Sequence, residues 1–585
     1  MRAPRRSALI LAAASLLAAV GLWLPAFRTL EGTGFGDWQF FHHMWEAGFV
    51  ALTRYGEWPL WDPYHCGGIT ILGNPQSQHM SPLYLLALLA GPTLGSKLFL
   101  CAHAWAGFAG MYSFARREHD LGVPGAALAS LAWAASGFFV SHGSGGHSAF
   151  LPFYFAPFVL LAWRAAARDL RYAAAVAGLL TLVLLEGGVY PFPYLMLLLA
   201  FDTLARTISG EAVRPIARAG TVAAMLTALL SAIRLLPIAD ELARNPRTMP
   251  SLDGVSVAEA LEMLTAREHE WRYLGHEFVW PEYGTYVGWG ILSLAALGVA
   301  SARRKPWLAV MAGAVVFFGL MLGEHGPASP WAIVHRLPIY DSLRVPSRFA
   351  VLFTLYLGLL AGRGLDWIAD RFERPSMPAV LARAGVVLPL LAIAAIATDL
   401  LIVHYPILDR WTDPPIVTDF VSPRYYLTAE RPYGRYYASF PRMNLGSRGC
   451  YEAMNFTPAR GLWSGDQPQA RVLGGAGTVV GFNRTTSRVF ASVRLERSSR
   501  VLFDQNFAPG WRSNLGEVVD HAGMLAVDLP AGAHRLALVY RPRTLVPGLS
   551  LSLLGLLVAF ALLRFRGFDR APARRAIPTT PEPSA

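Results

Sequence analysis

Long apolar stretches separated by short polar connections run through most of this chain. The first spans residues 8–27, directly after Arg5 and Arg6, and no A-x-A cleavage site follows it, so we expect an uncleaved helix. A helix needs about 20 apolar residues to cross a bilayer. We therefore predict a polytopic α-helical membrane protein of about twelve transmembrane helices, the others near residues 95–115, 123–141, 149–164, 173–189, 191–206, 217–237, 285–302, 306–322, 347–362, 384–403 and 546–563.

Positive residues mark alternate connections. At least two Lys or Arg occur in each of residues 116–122, 164–172, 206–218, 302–306 and 363–383 and in the tail from residue 564. The connections 141–148 and 187–193, on the opposite side, contain none. Cytoplasmic loops carry the excess of Lys and Arg. We therefore expect both termini in the cytoplasm and the long loops outside.

Three segments on the predicted outer side are long. Residues 28–80 are rich in aromatic residues, and residues 239–283 are rich in Glu and His. In the third segment, residues 488–495 and 525–529 alternate apolar with polar, and turn signals such as Pro509-Gly510 separate such runs, which predicts β-strands. We expect a membrane domain over residues 1–403, a C-terminal extracytoplasmic β-sandwich domain over residues 404–544, and a final helix with a cytoplasmic tail over residues 545–585.

The composition supports membrane insertion and argues against nucleic-acid binding. Charged residues make up 15% of the chain against about 25% in soluble domains, and the mean hydropathy is +0.36. The net charge of +12 arises mainly from arginines at the ends of apolar stretches, the pattern of a topology signal. Lysine occurs twice, at Lys97 and Lys305, and this arginine-rich composition suggests a GC-rich bacterium and its cytoplasmic (inner) membrane.

The three cysteines show no CxxC spacing, so we predict no metal site on thiolates. Cys66 and Cys450 both fall in predicted outer segments. We expect two free thiols there, with a disulfide between them as the alternative.

The first outer segment carries the candidate chemistry. Asp37 lies about ten residues beyond the first helix, at the start of an amphipathic stretch near the membrane surface. A carboxylate there is a candidate general base. Trp38 and Trp61 suit the headgroup belt, which is the simpler interpretation, and their rings can also stack on a sugar.

The motifs of this segment resemble those of the YfhO-like family of bacterial membrane proteins. GEWPLWDPY begins at Gly56 and NPQSQHMSP at Asn74. The likeness continues in PEY from Pro281, LRVPSRF from Leu343, the PGW turn from Pro509 and LPAGAH from Leu529. Their order along the chain extends the resemblance over almost its whole length.

This resemblance implies a GT-C class glycosyltransferase that takes sugar from a polyprenyl-phosphate donor. It would act on a cell-envelope glycan or lipid at the outer face, without a cofactor. The position of the family's acidic catalytic residue matches Asp37. Asp62 stands where the family commonly has Asn, so Asp62 remains an alternative base. The pair His42-His43 leaves a metal site as a weaker alternative, and we predict none.

Further residues are candidates for binding the donor and the acceptor. The donor phosphate would be held by Arg344 and Arg348, whose guanidinium forks match phosphate oxygens, and by Lys97. A salt bridge to Asp341, lipid headgroups, or snorkelling of the lysine are the alternatives. The candidate substrate-binding residues are Trp38, Trp61, Gln76, His79, Glu282 and Glu186. Glu282 is as well explained by a loop salt bridge, and Glu186 within apolar sequence should face a cavity.

Two other functions fit the same sequence. A transporter or flippase of lipid-linked saccharides should show broken helices and ionisable groups near the bilayer midplane, whereas the ionisable groups here cluster on the predicted outer side. A non-catalytic polysaccharide assembly protein would not need Asp37. The sequence therefore favours the transferase.

Overall fold

The computed structural model describes residues 3–564 except 33, 35, 251–252, 271, 274, 303–304, 373–378, 410–419, 433, 435 and 453. The predicted cytoplasmic tail beyond residue 564, and Arg2, lie outside the described residues. Most of the chain is helical. The main helices are Ala3–Trp23, Trp38–Arg54, Leu85–Ala90, Pro92–Glu118, Val123–Ala134, Gly137–Gly145, Ala156–Ala166, Tyr172–Leu185, Pro191–Ile208, Val213–Leu230, Ala232–Arg244, Val257–Thr265, Gly288–Ser301, Lys305–Met321, Ala350–Phe372, Ala379–Leu408 and Leu545–Arg564.

Every apolar stretch predicted to span the membrane contains a helix. Within the described residues, eight helical segments are long and apolar enough to cross a bilayer: Arg6–Phe27, Pro92–Glu118, Val123–Gly145, Ser148–Ala166, Val213–Leu230, Pro346–Phe372, Val387–Leu408 and Leu545–Arg564. Tyr172–Leu185, Gly288–Ser301 and Pro306–Met321 are shorter. At about 1.5 Å per residue, 14 residues reach about 21 Å, less than the apolar core of a bilayer. Of the twelve predicted spans, eight therefore coincide with such a segment, three contain the shorter helices, and the one near residues 191–206 contains the helix Pro191–Ile208.

The centre of the helical bundle is packed through glycine. Ala350–Phe372 lies between Val123–Ala134 and Gly288–Ser301. A Cβ on Gly364 would lie 1.9 Å from the carbonyl oxygen of Leu294, and one on Gly362 would lie 2.3 Å from that of Gly125. Small residues let membrane helices approach this closely. The central helix therefore packs closely against both of its neighbours.

Two four-stranded sheets form the C-terminal β domain. One sheet orders its strands as Glu517–His521, Met524–Leu529, Ser499–Asn506 and Ala470–Val472, and the other as Gly477–Arg484, Arg488–Leu495, Gly532–Tyr540 and Trp511–Ser513. The inward side chains of both sheets meet in one apolar core that includes Val493, Phe503, Val527 and Leu538. This packing confirms the predicted sandwich, including the alternating strand at residues 488–495.

The first outer loop is attached to this sandwich. Its short strands Trp61–Asp62 and Ile69–Thr70 form a hairpin. The ring of Trp61 lies 4.7 Å from that of Tyr540 and joins the sandwich core. Asn506 donates side-chain hydrogen bonds to the carbonyls of Cys66 and Gly68. The loop and the sandwich thus share one apolar core and one set of polar contacts.

Candidate active site

A cavity of about 430 Å³ opens where the outer segments converge. Its walls come from the first outer loop, the glycine-rich turn near residue 147, the loops near residues 247 and 280, the segment before the central helix and the segment after Cys450. The lining residues that bear polar or charged side chains are Asp37, Gln76, His147, Tyr190, Arg247, Glu277, Glu282, Arg344, Arg348, Tyr451, Glu452 and Asn455. Five of the residues selected from sequence, Asp37, Gln76, Glu282, Arg344 and Arg348, therefore share one cavity.

Asp37 is positioned by a close approach between two backbones. Its N–H donates to the carbonyl of Gly145 at 3.0 Å, and it directly precedes the helix Trp38–Arg54. Gly146 has φ +91°, and a Cβ there would lie 2.0 Å from the backbone nitrogen of Trp38. Only glycine fits such a backbone without strain. The glycine-rich turn thereby sets where Asp37 enters the cavity.

Two histidines lie between Asp37 and Glu282. His147 Nε2 is 3.5 Å from Asp37 Oδ2 and 3.8 Å from Glu282 Oε1. On its other side, His147 Nδ1 hydrogen-bonds to His142 Nδ1 at 2.7 Å. His142 Nδ1 is also 3.9 Å from Glu282 Oε2. One imidazole therefore faces both carboxylates, and the second imidazole fixes its orientation.

Arg348 is held by Glu282 and by aromatic rings. Its Nε and Nη2 donate to the two carboxylate oxygens of Glu282 at 2.9 and 2.6 Å, and its guanidinium lies 4.3 Å from the ring centre of Tyr190 and 4.8 Å from that of Phe150. Burial alone would raise the pKa of Glu282. The charge of Arg348, followed by the two imidazoles, outweighs burial and holds that pKa well below its ordinary value.

Arg344 and Arg247 add two more cations. The Arg344 guanidinium lies 5.1 Å from the ring centre of Phe278, and its Nε is buried without a hydrogen-bond partner among the described residues. Burial lowers the pKa of Arg247, and the charges of Arg344 and Arg348 lower it further. Three guanidinium groups therefore line the cavity that holds Asp37.

The backbone that presents Arg344 and Arg348 is strained. Val345, between them in the chain, has φ +59°, a left-handed conformation that is rare for a β-branched residue. The turn Pro346–Phe349 follows at once and leads into the central helix. Strain of this kind persists where the surrounding structure enforces it, often at functional sites. Here the kink places both arginines at the cavity.

The segment after Cys450 closes one wall and is tied to the first outer loop. Cys66 and Cys450 form a disulfide, so the expectation of two free thiols was wrong. Next to it, Glu452 accepts a hydrogen bond from the Asn74 amide at 2.8 Å and lies 3.0 Å from His65 Nε2. These contacts join residues far apart in sequence, which is why the sequence did not reveal them. A disulfide also supports the predicted outer location of both segments.

Asp62 does not line the cavity, and its role as the alternative base stays a prediction. Its side chain is buried, 3.3 Å from His43 Nε2, and accepts a hydrogen bond from the Tyr64 N–H. Burial alone would raise the pKa of Asp62. The interaction with the His43 imidazole outweighs burial and holds that pKa below its ordinary value. His42 and His43 pair with Glu46 and Asp62. Both pairs therefore join residues within the first outer loop to one another.

The two candidate tryptophans and His79 also make internal contacts. Trp38 donates through Nε1 to the carbonyl of Gly143, and Trp61 packs in the sandwich core. His79 Nε2 bonds to the carbonyl of Met44, and burial lowers the pKa of this imidazole to about 4. None of the three lines the cavity. The structure therefore shows packing contacts for all three, and substrate binding by them stays a prediction.

Glu186 and Lys97 likewise lie away from the cavity. Glu186 is fully buried. Its carboxylate lies 2.7 Å from His103 Nε2 and accepts a hydrogen bond from the Ser81 hydroxyl. The carboxylate therefore contacts these two polar groups and does not face the open cavity that had been expected. Lys97 donates to the carbonyl of Thr29, so its ammonium group is held by the backbone of the first outer loop.

The structure adds residues that the sequence did not suggest. Tyr190 carries no recognisable spacing, and Arg247 lies in an irregular loop. Glu452 follows a cysteine in a segment that reads as part of the sandwich. Only their tertiary position reveals these three residues, although each falls in a segment predicted to lie outside.

Two solved structures match this chain. The arabinofuranosyltransferase AftD from Mycobacteria matches with a TM-score of 0.50 at 16% identity over 92% of this chain and 40% of that one. The oligosaccharyltransferase AglB from Archaeoglobus fulgidus, solved with an inhibitory peptide and a dolichol-phosphate, matches with a TM-score of 0.47 at 12% identity over 77% of this chain and 65% of that one. The chain thus spans less than two thirds of either protein.

No protein-family model matches the chain, and no curated protein matches its sequence. The resemblance to the YfhO-like family therefore stays a prediction. The AftD likeness, at its low identity, concerns the fold alone and agrees with the predicted fold class: a polytopic helical membrane protein with a C-terminal β domain.

Proposed function

We propose that this protein is an inverting glycosyltransferase of the GT-C class, acting on the outer face of a bacterial cytoplasmic membrane. It would transfer a sugar from a polyprenyl-phosphate donor to a cell-envelope glycan or lipid. The observation that carries the proposal is one cavity that combines Asp37 with the guanidinium groups of Arg247, Arg344 and Arg348. The GT-C-like fold supports the same class.

The chemistry needs both kinds of group. The bond between the anomeric carbon and the phosphate oxygen breaks, and its electron pair leaves with the polyprenyl phosphate. A bond forms between the acceptor oxygen and the anomeric carbon, while Asp37 takes the proton of the acceptor hydroxyl. The transition state has oxocarbenium character on the sugar. Attack opposite the leaving phosphate inverts the anomeric configuration.

The arginines suit the departing phosphate. Guanidinium groups bind phosphate oxygens through paired hydrogen bonds, and Arg344 Nε and Arg348 Nη1 are buried without partners among the described residues. Arg348 also has Glu282 as a fixed partner, which leaves Arg344 as the more available fork. Phosphate is a good leaving group, so the reaction needs no general acid.

The test is Asp37→Asn in a strain that lacks the chromosomal gene. Removing a general base costs about 10² to 10⁴ in rate, so we expect lipid-linked sugar to accumulate and the envelope glycan to lose that sugar, with the protein still in the membrane. Glu31→Gln, an exposed carboxylate in the same loop, is the matched control and should behave as wild type. Wild-type glycan from Asp37→Asn would reject Asp37 as the base and favour an assembly protein. Donor trapped on the cytoplasmic side of deletion cells would favour a flippase.

A further inference from the structure

We propose that the uncovered face of the β-sandwich binds an anionic glycan of the cell envelope. This surface, which we call the basic face, consists of the exposed ring of Phe490 and four exposed arginines: Arg488, Arg494, Arg512 and Arg535. Binding at the basic face does not depend on the transfer reaction. The use of the bound glycan as acceptor rests on the proposed function.

The outer sides of the two sheets differ in what covers them. On the sheet that contains Ser499–Asn506, Leu502 belongs to a second apolar cluster, which includes Tyr425 and lies outside the sandwich core. On the other sheet, Phe490 is 38% exposed and Val539 is 36% exposed. The described part of the chain therefore covers the outer side of one sheet and leaves that of the other open.

The strand register puts the four arginines on this open side. Side chains alternate between the two faces of a strand, so Arg488 and Arg494, six residues apart, point the same way. Val539 pairs with Arg488 on one side and with Arg512 on the other, and directly paired residues share a face. Arg535 lies four residues before Val539 on the same strand and therefore shares that face.

The four arginines form two pairs at opposite ends of the basic face. Arg488 and Arg512 lie on the two strands that flank a third, which puts their Cα atoms about 10 Å apart. Arg494 and Arg535 are diagonal neighbours on adjacent strands, about 7–8 Å apart. The pairs are separated by about 20 Å along the strands, with Phe490 between them. A small anion can bind one pair, whereas an extended chain with repeated charges can reach both.

Little negative charge balances the basic face. The four strands of its sheet contain no Asp or Glu. Arg488 has the carboxylate of Glu57 at 3.3 Å. Among the residues that the structure describes, the guanidinium groups of Arg494, Arg512 and Arg535 have no hydrogen-bond or ion-pair partner. A surface with an unbalanced charge attracts a partner of the opposite sign.

The side chains of the basic face suit a glycan that carries carboxylate or phosphate groups. A guanidinium group donates paired hydrogen bonds to either anion. The ring of Phe490 offers apolar surface against which the C–H groups of a sugar can pack. An anionic glycan therefore satisfies both kinds of side chain, whereas a neutral glycan would leave the arginines without partners.

A membrane surface fits this arrangement less well. The strand Gly532–Tyr540 is followed after four residues by the helix Leu545–Arg564, so the pair Arg488 and Arg512, at the end of that strand, is the nearer one to the helix. The other pair lies about 20 Å farther along the strand, whereas a headgroup layer is only about 5–8 Å deep. Lipid headgroups would reach both pairs only if the sheet lay flat on the membrane.

A glycan held on the basic face remains attached to the part of the protein that carries the candidate base. The sandwich shares its apolar core with the first outer loop through Trp61, and Asp37 lies in the same loop. Tethering a polymer raises the effective concentration of its reactive groups. We therefore expect loss of the basic face to raise the KM for the acceptor and to leave kcat unchanged.

The experiment measures polymer binding by the full-length protein in phosphatidylcholine nanodiscs, without any sugar donor. Fluorescein-labelled polygalacturonate and phosphorylated dextran are the anionic probes, and unmodified dextran is the neutral one. We expect saturable binding of an anionic probe and none of dextran. Arg494→Gln/Arg535→Gln should weaken that binding at least tenfold, because two charge-assisted contacts are lost. Arg424→Gln/Arg460→Gln removes the same charge from exposed positions outside the basic face and should bind as wild type does.

Wild-type protein gives a second measurement that needs no variant. Bound polymer should slow the modification of Arg494 and Arg535 by phenylglyoxal, measured by mass spectrometry, and leave Arg424 and Arg460 unaffected. No saturable binding of either anionic probe, binding that Arg494→Gln/Arg535→Gln leaves unchanged, or an equal loss in the control variant would each overturn the site. Tighter binding to phosphatidylglycerol vesicles than to either polymer would also reject the glycan, in favour of a membrane surface.

Transfer assays separate this proposal from the proposed function. Transfer that requires Asp37, with a KM for the acceptor that Arg494→Gln/Arg535→Gln leaves unchanged, would retain the proposed function and reject the acceptor role of the basic face. Saturable polymer binding by a wild-type protein that transfers no sugar would retain the basic face and reject the proposed function.

Discussion

Arg348 and Glu282 form a buried ion pair in which two guanidinium nitrogens meet both carboxylate oxygens, at 2.9 and 2.6 Å. Arg348 lies in the turn Pro346–Phe349 that leads into the central helix, and Glu282 ends the short turn Trp280–Glu282 in the loop before Gly288–Ser301. The pair therefore fixes two outer segments to each other at the cavity.

Breaking this pair on one side should destabilise the protein. Glu282→Gln leaves a buried guanidinium without its counter-charge, which costs about 3–5 kcal/mol. We expect a marked fall in the thermal unfolding midpoint in detergent, measured by tryptophan fluorescence. The double variant Glu282→Gln/Arg348→Met should lose less than the sum of the single variants. Single variants that unfold within about 1 kcal/mol of wild type would show that the pair does not hold the segments together.

Substituting Gly146 should impair transfer through the position of Asp37. The added Cβ of Gly146→Ala meets the backbone nitrogen of Trp38 at 2.0 Å, so the start of that helix must move away. We expect transfer to fall at least tenfold while the protein still reaches the membrane. Gly56→Ala is the matched control, because Gly56 also has a positive φ but nothing within 4 Å of its Cβ position. An equal loss of transfer in both variants would mean that strain at a positive φ, and not the displacement of Asp37, lowers the activity.

Loss of the disulfide should loosen the wall that carries Tyr451 and Glu452. Cys450→Ser should lower the free energy of unfolding by about 2–5 kcal/mol and reduce transfer, and adding Cys66→Ser should change little more. The unfolding midpoint measures the loss of stability, and the mobility of the unreduced protein in gels shows whether the disulfide has formed. Cys101→Ser, at the buried free cysteine, serves as the comparison. A Cys450→Ser protein as stable as Cys101→Ser would contradict the expectation.

Asp504 should make the stability of the sandwich depend on pH. Burial raises the pKa of this carboxyl to about 7, above its value of about 3.9 in an unfolded chain. The folded state therefore holds the proton more tightly, and the stabilisation present below pH 4 is lost as the pH rises through 7. We expect the unfolding midpoint to fall between pH 5 and 8, and Asp504→Asn to remove most of that fall.

Asp528 is the comparison for Asp504, because its pKa is shifted in the opposite direction. Hydrogen bonds from Arg500 lower the pKa of Asp528, so Asp528→Asn should leave the fall between pH 5 and 8 in place. If the unfolding midpoint of Asp504→Asn still falls between pH 5 and 8 as in wild type, another group causes that fall.

Labelling of introduced cysteines tests the predicted orientation. R497C lies at an exposed position of the sandwich and should react in intact cells with a maleimide that cannot cross the cytoplasmic membrane. R168C, at a side chain 71% exposed on the opposite side, should react only after lysis. Wild-type protein provides a low background because its one free cysteine is buried. The reversed result would place the cavity in the cytosol and remove the proposed donor.

The helices and much of the sandwich were predictable because each reflects a local pattern. The strand at residues 488–495 was predicted with its observed bounds, since alternation of side chains across a sheet is visible in sequence. The number of helices long enough to cross a bilayer was not predictable, because helices such as Tyr172–Leu185 end earlier than their apolar runs in the sequence.

The composition of the cavity was only partly predictable. Asp37, Arg344 and Glu282 came from motifs that lie in loops, where function concentrates. Asp62 and Glu186 have the same chemical character in sequence, yet each is buried against a histidine. Nothing in their spacing distinguishes a reactive carboxylate from one that stabilises the fold. Arg247 and His147 depend on contacts between segments far apart in the chain.

The link between Cys66 and Cys450 gives the cavity an order of assembly. The two cysteines are 384 residues apart, and a ribosome adding about 5–20 residues per second needs roughly 20 to 80 seconds between them. During that interval a nascent chain would already expose Asp37 but have no completed wall opposite it. The cavity of a newly made protein is therefore complete only when translation has nearly ended and the segment after Cys450 has been joined to the first outer loop.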